Sequence, residues 1–453
     1  VFLTALVAVI FDYFFVTQDK IPCGVLENTM YQSIADKAFR RACAVTLLLL
    51  SGADTIFAAG LTMEEAGQLA LNNDYTLQAI DARGQSMSEM AIAAERLPDP
   101  KLRLGFANLP TDTFDLDQEP MTQAVIGVQQ AFPRGQTRSL SSARLNEAVE
   151  RSAAEADDQR YMILLAVRED YTQIYLQQEK HKILQKSLAV FTDLAEITRD
   201  YYATGRAHQQ DVVQAQLELS KVEERLVGIR QQEEQARARL AERIGADAYR
   251  ELDQDWPDIG QPSPATRIIA GLAEHPKIRA WQHEIAKSRT SEEIARQAYK
   301  PGFAVDLAYG ARSGQNTNGS NRSDMLSVFV TMDIPLFTRN RQDRTLAASI
   351  ADTSAIEYAR DDIYRSMKAR VEEHAAILAR QQERLALYQD HLLPQAAFNA
   401  ETAFEDYQDA VGDLTTLMRA RLGEYELKLN RASLQADEII TRARLLYFQG
   451  ETS

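Results

Sequence analysis

Phe132-Pro133-Arg134-Gly135 closes a run of alternating apolar and polar residues, and Phe337-Thr338-Arg339-Asn340 closes another. Each opens a stretch that reads as one very long helix. From Arg138 to Thr204 there is neither glycine nor proline, which at 1.5 Å per residue is a rod on the order of 100 Å. Arg341 to Val411 runs the same way with a single interruption, Pro394, where a kink is expected. Helices several times the usual length have no place in a compact globular domain.

Working outward, the flanking segments also occur twice. Asn73-Asp74-Tyr75-Thr76-Leu77 leads a helical stretch ending at Pro100, and Glu274-His275-Pro276-Lys277-Ile278 leads one ending at Pro301. Gly205 precedes Ala215, Val222 and Ile229, as Gly412 precedes Leu422, Leu429 and Ala436. The landmarks keep one order at a spacing of about 200 residues, so the chain is an internal repeat. Each copy reads helix, strand, strand, long helix, return helix.

The strands are expected at about 101–108, 121–132, 302–311 and 325–335. Leu102, Leu104 and Phe106 alternate with Lys101, Arg103 and Gly105. Ala124, Ile126 and Val128 alternate with Gln123, Gly127 and Gln129. In copy two, Phe303, Val305 and Leu307 alternate with Ala304, Asp306 and Ala308, and Val328, Val330 and Met332 with Ser327, Thr331 and Asp333. Two such hairpins do not make a stable independent sheet with both faces in water. The return helices carry a heptad seam, Val212, Ala215, Leu219, Val222, Leu226 and Ile229, then Met418, Leu422, Tyr425, Leu429, Ala432, Ala436 and Ile439.

The N-terminal residues 1–60 read as an upstream segment and a cleaved signal peptide, with Met30 as the natural start. Lys37, Arg40 and Arg41 precede the apolar stretch Ala42 to Leu50, and Ala58-Ala59-Gly60 supplies the small residues of a cleavage site. The mature chain is expected to start near Leu61. It would divide into a first repeat at 61–245, a linker at 246–265 and a second repeat at 266–450. Cys23 and Cys43 fall in the export segment, so a mature chain would carry no disulfide, thiolate zinc site or cysteine nucleophile.

With 50 Lys and Arg against 65 Asp and Glu, the net charge is −15, and nucleic acid is not an expected partner. The six histidines form no His-Glu-x-x-His set, and no phosphate loop or nucleophile elbow occurs. No catalytic residue, metal site or cofactor is expected. Met332 reads as lipid-facing and Met90 as helix packing rather than as soft metal ligands.

This order of elements, with Leu61-Thr62-Met63-Glu64-Glu65-Ala66, Phe132-Pro133-Arg134-Gly135 and Tyr202-Ala203-Thr204-Gly205, resembles the TolC-like outer membrane factors. The fold class implied is mainly α with a small β part. In it, a homotrimer pools four strands per chain into a twelve-stranded outer-membrane β-barrel, continuous with a long periplasmic α-helical barrel. The apolar strand faces would meet outer-membrane lipid and the polar faces would line water. Loops 108–120 and 313–323 would lie outside the cell, and Arg134 and Arg339 at the inner membrane boundary. The resemblance implies a passive conduit, not an enzyme, working with a periplasmic adaptor protein and an inner-membrane RND pump.

The resemblance also implies a gate at the periplasmic tip, where each long helix turns. Gly205 and Gly412 mark the two turns and are expected to supply unusual backbone angles. Near the second turn stand Asp409, Met418 and Arg421, where the family carries a tyrosine and an acidic pair; near the first stand Tyr202, Asp211 and Gln214, so copy one keeps a tyrosine and one aspartate. The expectation is that Tyr202 and Asp211 latch to Arg419 or Arg421 across the tip. The alternative is a set of solvated charges worth little. The mature start at Leu61-Thr62-Met63-Glu64-Glu65-Ala66, Leu97-Pro98-Asp99-Pro100 and the loop from Asn108-Leu109-Pro110 to Glu119-Pro120-Met121-Thr122 resemble the heavy-metal branch, implying export of metal cations. A drug-efflux or type I secretion duct is the alternative within the same architecture, and a periplasmic coiled-coil scaffold the alternative outside it.

Overall fold

The computed structural model describes residues 60–409 and 411–450. The expected export segment, with Met30, Cys23 and Cys43, lies outside the described residues. Copy one supplies α1 (Met63–Asn73), α2 (Tyr75–Ala94), β1 (Lys101–Ala107), β2 (Gln123–Phe132), α3 (Thr137–Ala203) and α4 (Gln209–Ile244). Copy two supplies α5 (Ala265–Gly271), α6 (Pro276–Gln297), β3 (Phe303–Ala311), β4 (Met325–Met332), α7 (Gln342–Leu387), α8 (Leu393–Gln408) and α9 (Leu414–Gln449).

The paired landmarks do the same local work in both copies. Asp74 caps α2 by accepting from Leu77 N at 2.7 Å, and His275 caps α6 through Nδ1, accepting from Lys277 N at 3.2 Å. Pro276 occupies the first turn of α6, where its missing N–H is no loss. The interruption expected at Pro394 takes the form of a π-helical turn, Tyr388–Leu392, directly ahead of it. The wider turn accommodates the proline ring and the absent donor, so the rod continues as α8.

The strands form one antiparallel sheet in the order β1-β2-β3-β4. Its register gathers the apolar residues on one face: Leu104 pairs Ile126, which pairs Tyr309, while Leu102 pairs Val128, which pairs Leu307 and then Val328. Arg103, Gly127, Gln129, Asp306, Ala308, Ser327 and Thr331 fall on the other. The apolar side chains of the outer strands are open, Leu104 at 67% and Val330 at 65%, and so is Arg103 on the opposite face, while Asp306 between the inner strands is 6% exposed. Phe329 pairs with Asp306 and interrupts the polar face. The strand ends differ slightly from expectation. β1 stops at Ala107 because Asn108 turns into the left-handed region at φ 57 and ties across to Met121 O. β4 stops at Met332, short of Pro335, which has no N–H to give a ladder.

Along the helices, α3 packs on α2 and α6, and α6 packs on α7 toward the sheet. Toward the far end α3 lies between α4 and α9, with α8 on the other side of α9. The heptad seams are buried there: Ala215, Val222, Leu226 and Ile229 join Met418, Tyr425, Leu184 and Phe191 in one apolar cluster. α2, α4, α7 and α8 are edge helices, and they carry large exposed apolar side chains: Met90 and Ile92, Val213 and Val227, Tyr358, and Phe398. Met90 is therefore not packed within the chain.

A strap between the repeats belts the middle. Leu61 bridges Leu252 in parallel, Tyr171 Oη donates to Leu61 O at 2.7 Å, and Tyr175 Oη donates to Gln254 O at 2.6 Å. Trp256 lies on Tyr175 with ring centroids 4.7 Å apart.

Candidate functional site

The two helix turns lie at one end of the molecule and share a core. Tyr407, Leu414, Leu417 and Met418 of copy two are buried, with Tyr201 and Ile197 of copy one packed against them. The Tyr201 and Tyr407 rings are 5.6 Å apart, and Thr198 Oγ1 lies 3.5 Å from Tyr407 Oη. Burial raises the Tyr407 phenol above its ordinary range, so it is a neutral hydrogen-bonding group here.

The first turn is built on Gly205, whose φ of +76° only glycine adopts without strain. Gly205 N donates to Tyr202 O at 3.0 Å and Arg206 N to Tyr201 O at 2.7 Å, satisfying carbonyls at the end of α3. Asp211 then reaches back, its Oδ2 accepting from His208 N at 2.8 Å. This is a capping role at the start of α4. Tyr202 is 48% exposed.

The second turn differs from expectation. Gly412 is not among the left-handed glycines. Its lack of a side chain serves a close approach instead, because a Cβ there would lie 3.0 Å from the Cβ of Asp406. Gly412 N and Val411 N both donate to Asp406 O, and Asp409 N donates to Glu405 O. Asp413 caps α9, accepting from Thr416 N at 2.8 Å, and that backbone bond holds its carboxyl below the usual range.

Arg421 is engaged inside the chain. Its Nη2 donates to Glu401 Oε2 at 2.9 Å, Nη1 lies 3.2 Å from Glu424 Oε2, and the guanidinium sits over the Phe404 ring. Glu424, nearly buried, also binds Lys428 at 2.6 Å. Arg421 thus clamps α8 to α9. Within one chain it meets neither Tyr202 nor Asp211, whereas Arg419 is exposed, its charge felt at Asp413. Sequence reasoning missed Tyr407, Tyr201 and the Glu401–Arg421–Glu424 cluster. The spacing of Arg421, Glu424 and Lys428 along one helix was a legible signal; the contribution of Glu401 depends on how α8 pairs with α9.

At the sheet–helix junction Arg134 joins the copies, donating from Nη1 to Ala298 O at 3.2 Å and from Nη2 to Asp333 Oδ2 at 3.1 Å. Among the described residues no helix is long and apolar enough to cross a membrane, and no group of three or more His, Cys, Asp or Glu is placed to hold a metal ion.

The duplicated strand–strand–long helix unit has a counterpart among family models: the one described as outer membrane efflux protein matches residues 66–246 and 270–450. The chain belongs to the outer membrane efflux protein family. The outer-membrane channel OprN shares its fold, with a TM-score of 0.72 and 17% identity over 86% of this chain and 89% of OprN. The outer membrane protein VceC of Vibrio cholerae also gives 0.72, at 16% identity, covering 86% of this chain and 96% of VceC. CusC, a transmembrane channel, gives 0.72 at 14% identity, covering 86% of this chain and 92% of CusC. No curated protein matches the sequence. Membership agrees with an efflux role at the outer membrane.

Proposed function

We propose that three copies of this chain close into one conduit that carries solutes passively from the periplasm across the outer membrane. The observation that carries this reading is the two-sided sheet: large apolar side chains gather, exposed, on one face and most polar ones on the other. In water that arrangement exposes an apolar patch. In lipid, with β1 of one chain pairing β4 of the next, it satisfies both the side chains and the open strand edges. The exposed apolar side chains on the edge helices support the same assembly, since neighbouring copies would cover them. Outer membranes extracted in mild detergent should yield a heat-resistant trimer that conducts ions in planar bilayers. A monomeric, water-soluble chain would overturn the reading and favour a periplasmic scaffold.

The conduit would dock a periplasmic adaptor and, through it, an RND pump in the inner membrane. The cargo proposed is heavy-metal cations, supported by the resemblance of residues 61–66, 97–100 and 108–122 to the metal branch. The duct itself need hold no metal, because selectivity can reside in the pump. A deletion strain should lose resistance to copper, silver, cobalt, zinc or cadmium salts; loss of resistance to organic drugs alone would favour a drug duct.

The gate proposed comprises Tyr202, Gly205, Asp211, Asp409, Gly412, Arg419 and Arg421. In it Arg421 shapes the tip of each chain, and Arg419 is free to meet Tyr202 or Asp211 of a neighbouring copy. Mixed charges around a three-fold axis would attract, where a ring of like charges would repel.

A further inference from the structure

Where the N-terminal end of α6 meets the C-terminal end of α9, between α3 and α7, the described residues line an open cavity of about 510 Å³. Its floor is aromatic. Tyr447 and Phe448 meet edge to face with centroids 5.0 Å apart, and His374 stacks on Phe448 at 6.3 Å. Tyr447 is fixed in place, its hydroxyl donating to Asp158 Oδ1 at 2.8 Å. Met162 and Leu165 of α3 complete the apolar side.

Around this floor stand three cations, Lys277, Arg370 and Arg444. Arg444 is held by Glu169 at 2.7 Å. Among the described residues, the side chains of Lys277 and Arg370 have neither a hydrogen bond nor a carboxylate within ion-pair distance. Glu373 lines the cavity, Glu169 holds Arg444 and Asp158 holds the Tyr447 hydroxyl, so Lys277 and Arg370 are the cations left without a direct carboxylate partner. Burial, with Arg444 and Arg370 nearby, pushes the His374 imidazole down, which makes it a neutral ring face rather than a fourth charge.

The fold does not ask for these cations. Ile268, Ile278, Met367, Val371 and Leu445 supply the apolar packing of this junction. At the matching junction of copy one, where the end of α4 approaches the start of α2 against α3, Leu77, Ile163, Val167, Leu240 and Ile244 are buried together. Arg370 is exposed and Lys277 half-buried, and the donors of both are open to an anion beside the aromatic floor. An acid group would engage Arg370 and Lys277 as donors, and an attached flat apolar body would cover the rings.

We propose that this cavity is a binding site for a small organic acid, a carboxylate or a phosphate ester joined to a flat apolar body. The site lies well along the helices from the strands and from the tip, so it does not rest on the gate. A bound acid would bridge α3, α6, α7 and α9 and so tie copy one to copy two.

The test uses the purified full-length protein in lipid nanodiscs and ¹⁹F NMR line broadening. The probes are 4-fluorobenzoate and 4-fluorophenyl phosphate, with 4-fluorobenzylamine as the cationic control. Broadening by at least one acid and not by the amine is expected, and the stronger acid identifies the head group. The Lys277→Ala/Arg370→Ala variant should bind about ten-fold more weakly or worse, with an unchanged circular dichroism spectrum and melting temperature in the absence of probe. Equal broadening by the amine would overturn the proposal, as would undiminished binding by the double variant. Displacement of the aromatic acids by inorganic phosphate at equal concentration would overturn the role given to the aromatic floor.

Discussion

Arg103 reaches past a whole strand to bind Asp306: Nη2 of the arginine on β1 lies 2.9 Å from Oδ1 of the aspartate on β3, with β2 between them. The residue crossed is Gly127, opposite Arg103 in one register and Ala308 in the other. A Cβ on Gly127 would come within 3.3 Å of Ala308 Cβ and of Leu307 O. Asp306 is nearly buried but Arg103 is largely exposed, so solvent screens the pair and its worth is modest, about 1 kcal/mol. Asp306→Ala should lower the temperature at which the proposed trimer, extracted in detergent, dissociates by a few degrees. Gly127→Leu should lower it further, because it blocks the bridge and crowds β3. If both variants dissociate at the parental temperature, the bridge contributes nothing to assembly.

The two tip glycines should respond differently to the same substitutions. Gly205 needs its positive φ, so alanine should cost about 1 kcal/mol while asparagine, which tolerates that region, should cost less. Gly412 needs absence of a side chain beside Asp406, so alanine and asparagine should both loosen the second turn. Hydrogen exchange reads this directly at Arg206 N in the first turn and at Gly412 or its replacement in the second. Parallel behaviour of the two positions would contradict these assignments.

Tyr171 offers a pH-dependent check on the strap. Its hydroxyl donates to Leu61 O, and burial pushes its ionisation up to about 12. In the unfolded chain a tyrosine ionises near 10. The folded value is the higher one, so the stabilisation is fully present below about pH 10 and is lost as pH rises through about 12. The loss should approach about 2 kcal/mol. Urea unfolding between pH 9 and 12 should show this component in the parent protein and not in Tyr171→Phe. The same slope in both proteins would assign the alkaline weakening to other groups.

What could be read from the sequence follows from how local each feature is. The repeat, the long helices and the sheet faces rest on period and composition, which act over a few residues, and Asp74 and His275, at matching places in the two copies, each cap a helix. The second turn was misread because Gly412 serves a contact with Asp406 rather than a backbone angle, and contacts are not written in residue type. Arg421 was placed near the tip, but its partner Glu401 is fixed only when α8 folds back on α9. The outward stripe of Val213, Leu217 and Val227 beside the heptad seam was equally overlooked, because one apolar seam already accounted for the helix.

The tip separates two arginines that sequence position alone treats alike. Arg421 holds Glu401 and Glu424 between α8 and α9, while Arg419 is exposed. Arg421→Glu would set three carboxylates together, one of them nearly buried, and should destabilise the tip by about 3 kcal/mol while raising single-channel conductance. Arg419→Glu removes no ion pair among the described residues and should leave the unfolding midpoint where it was. If Arg419 latches neighbouring copies, that variant alone should raise conductance without loss of stability. Unchanged conductance in Arg419→Glu, with an increase in Arg421→Glu, would move the gate inside each chain, to the α8–α9 clamp.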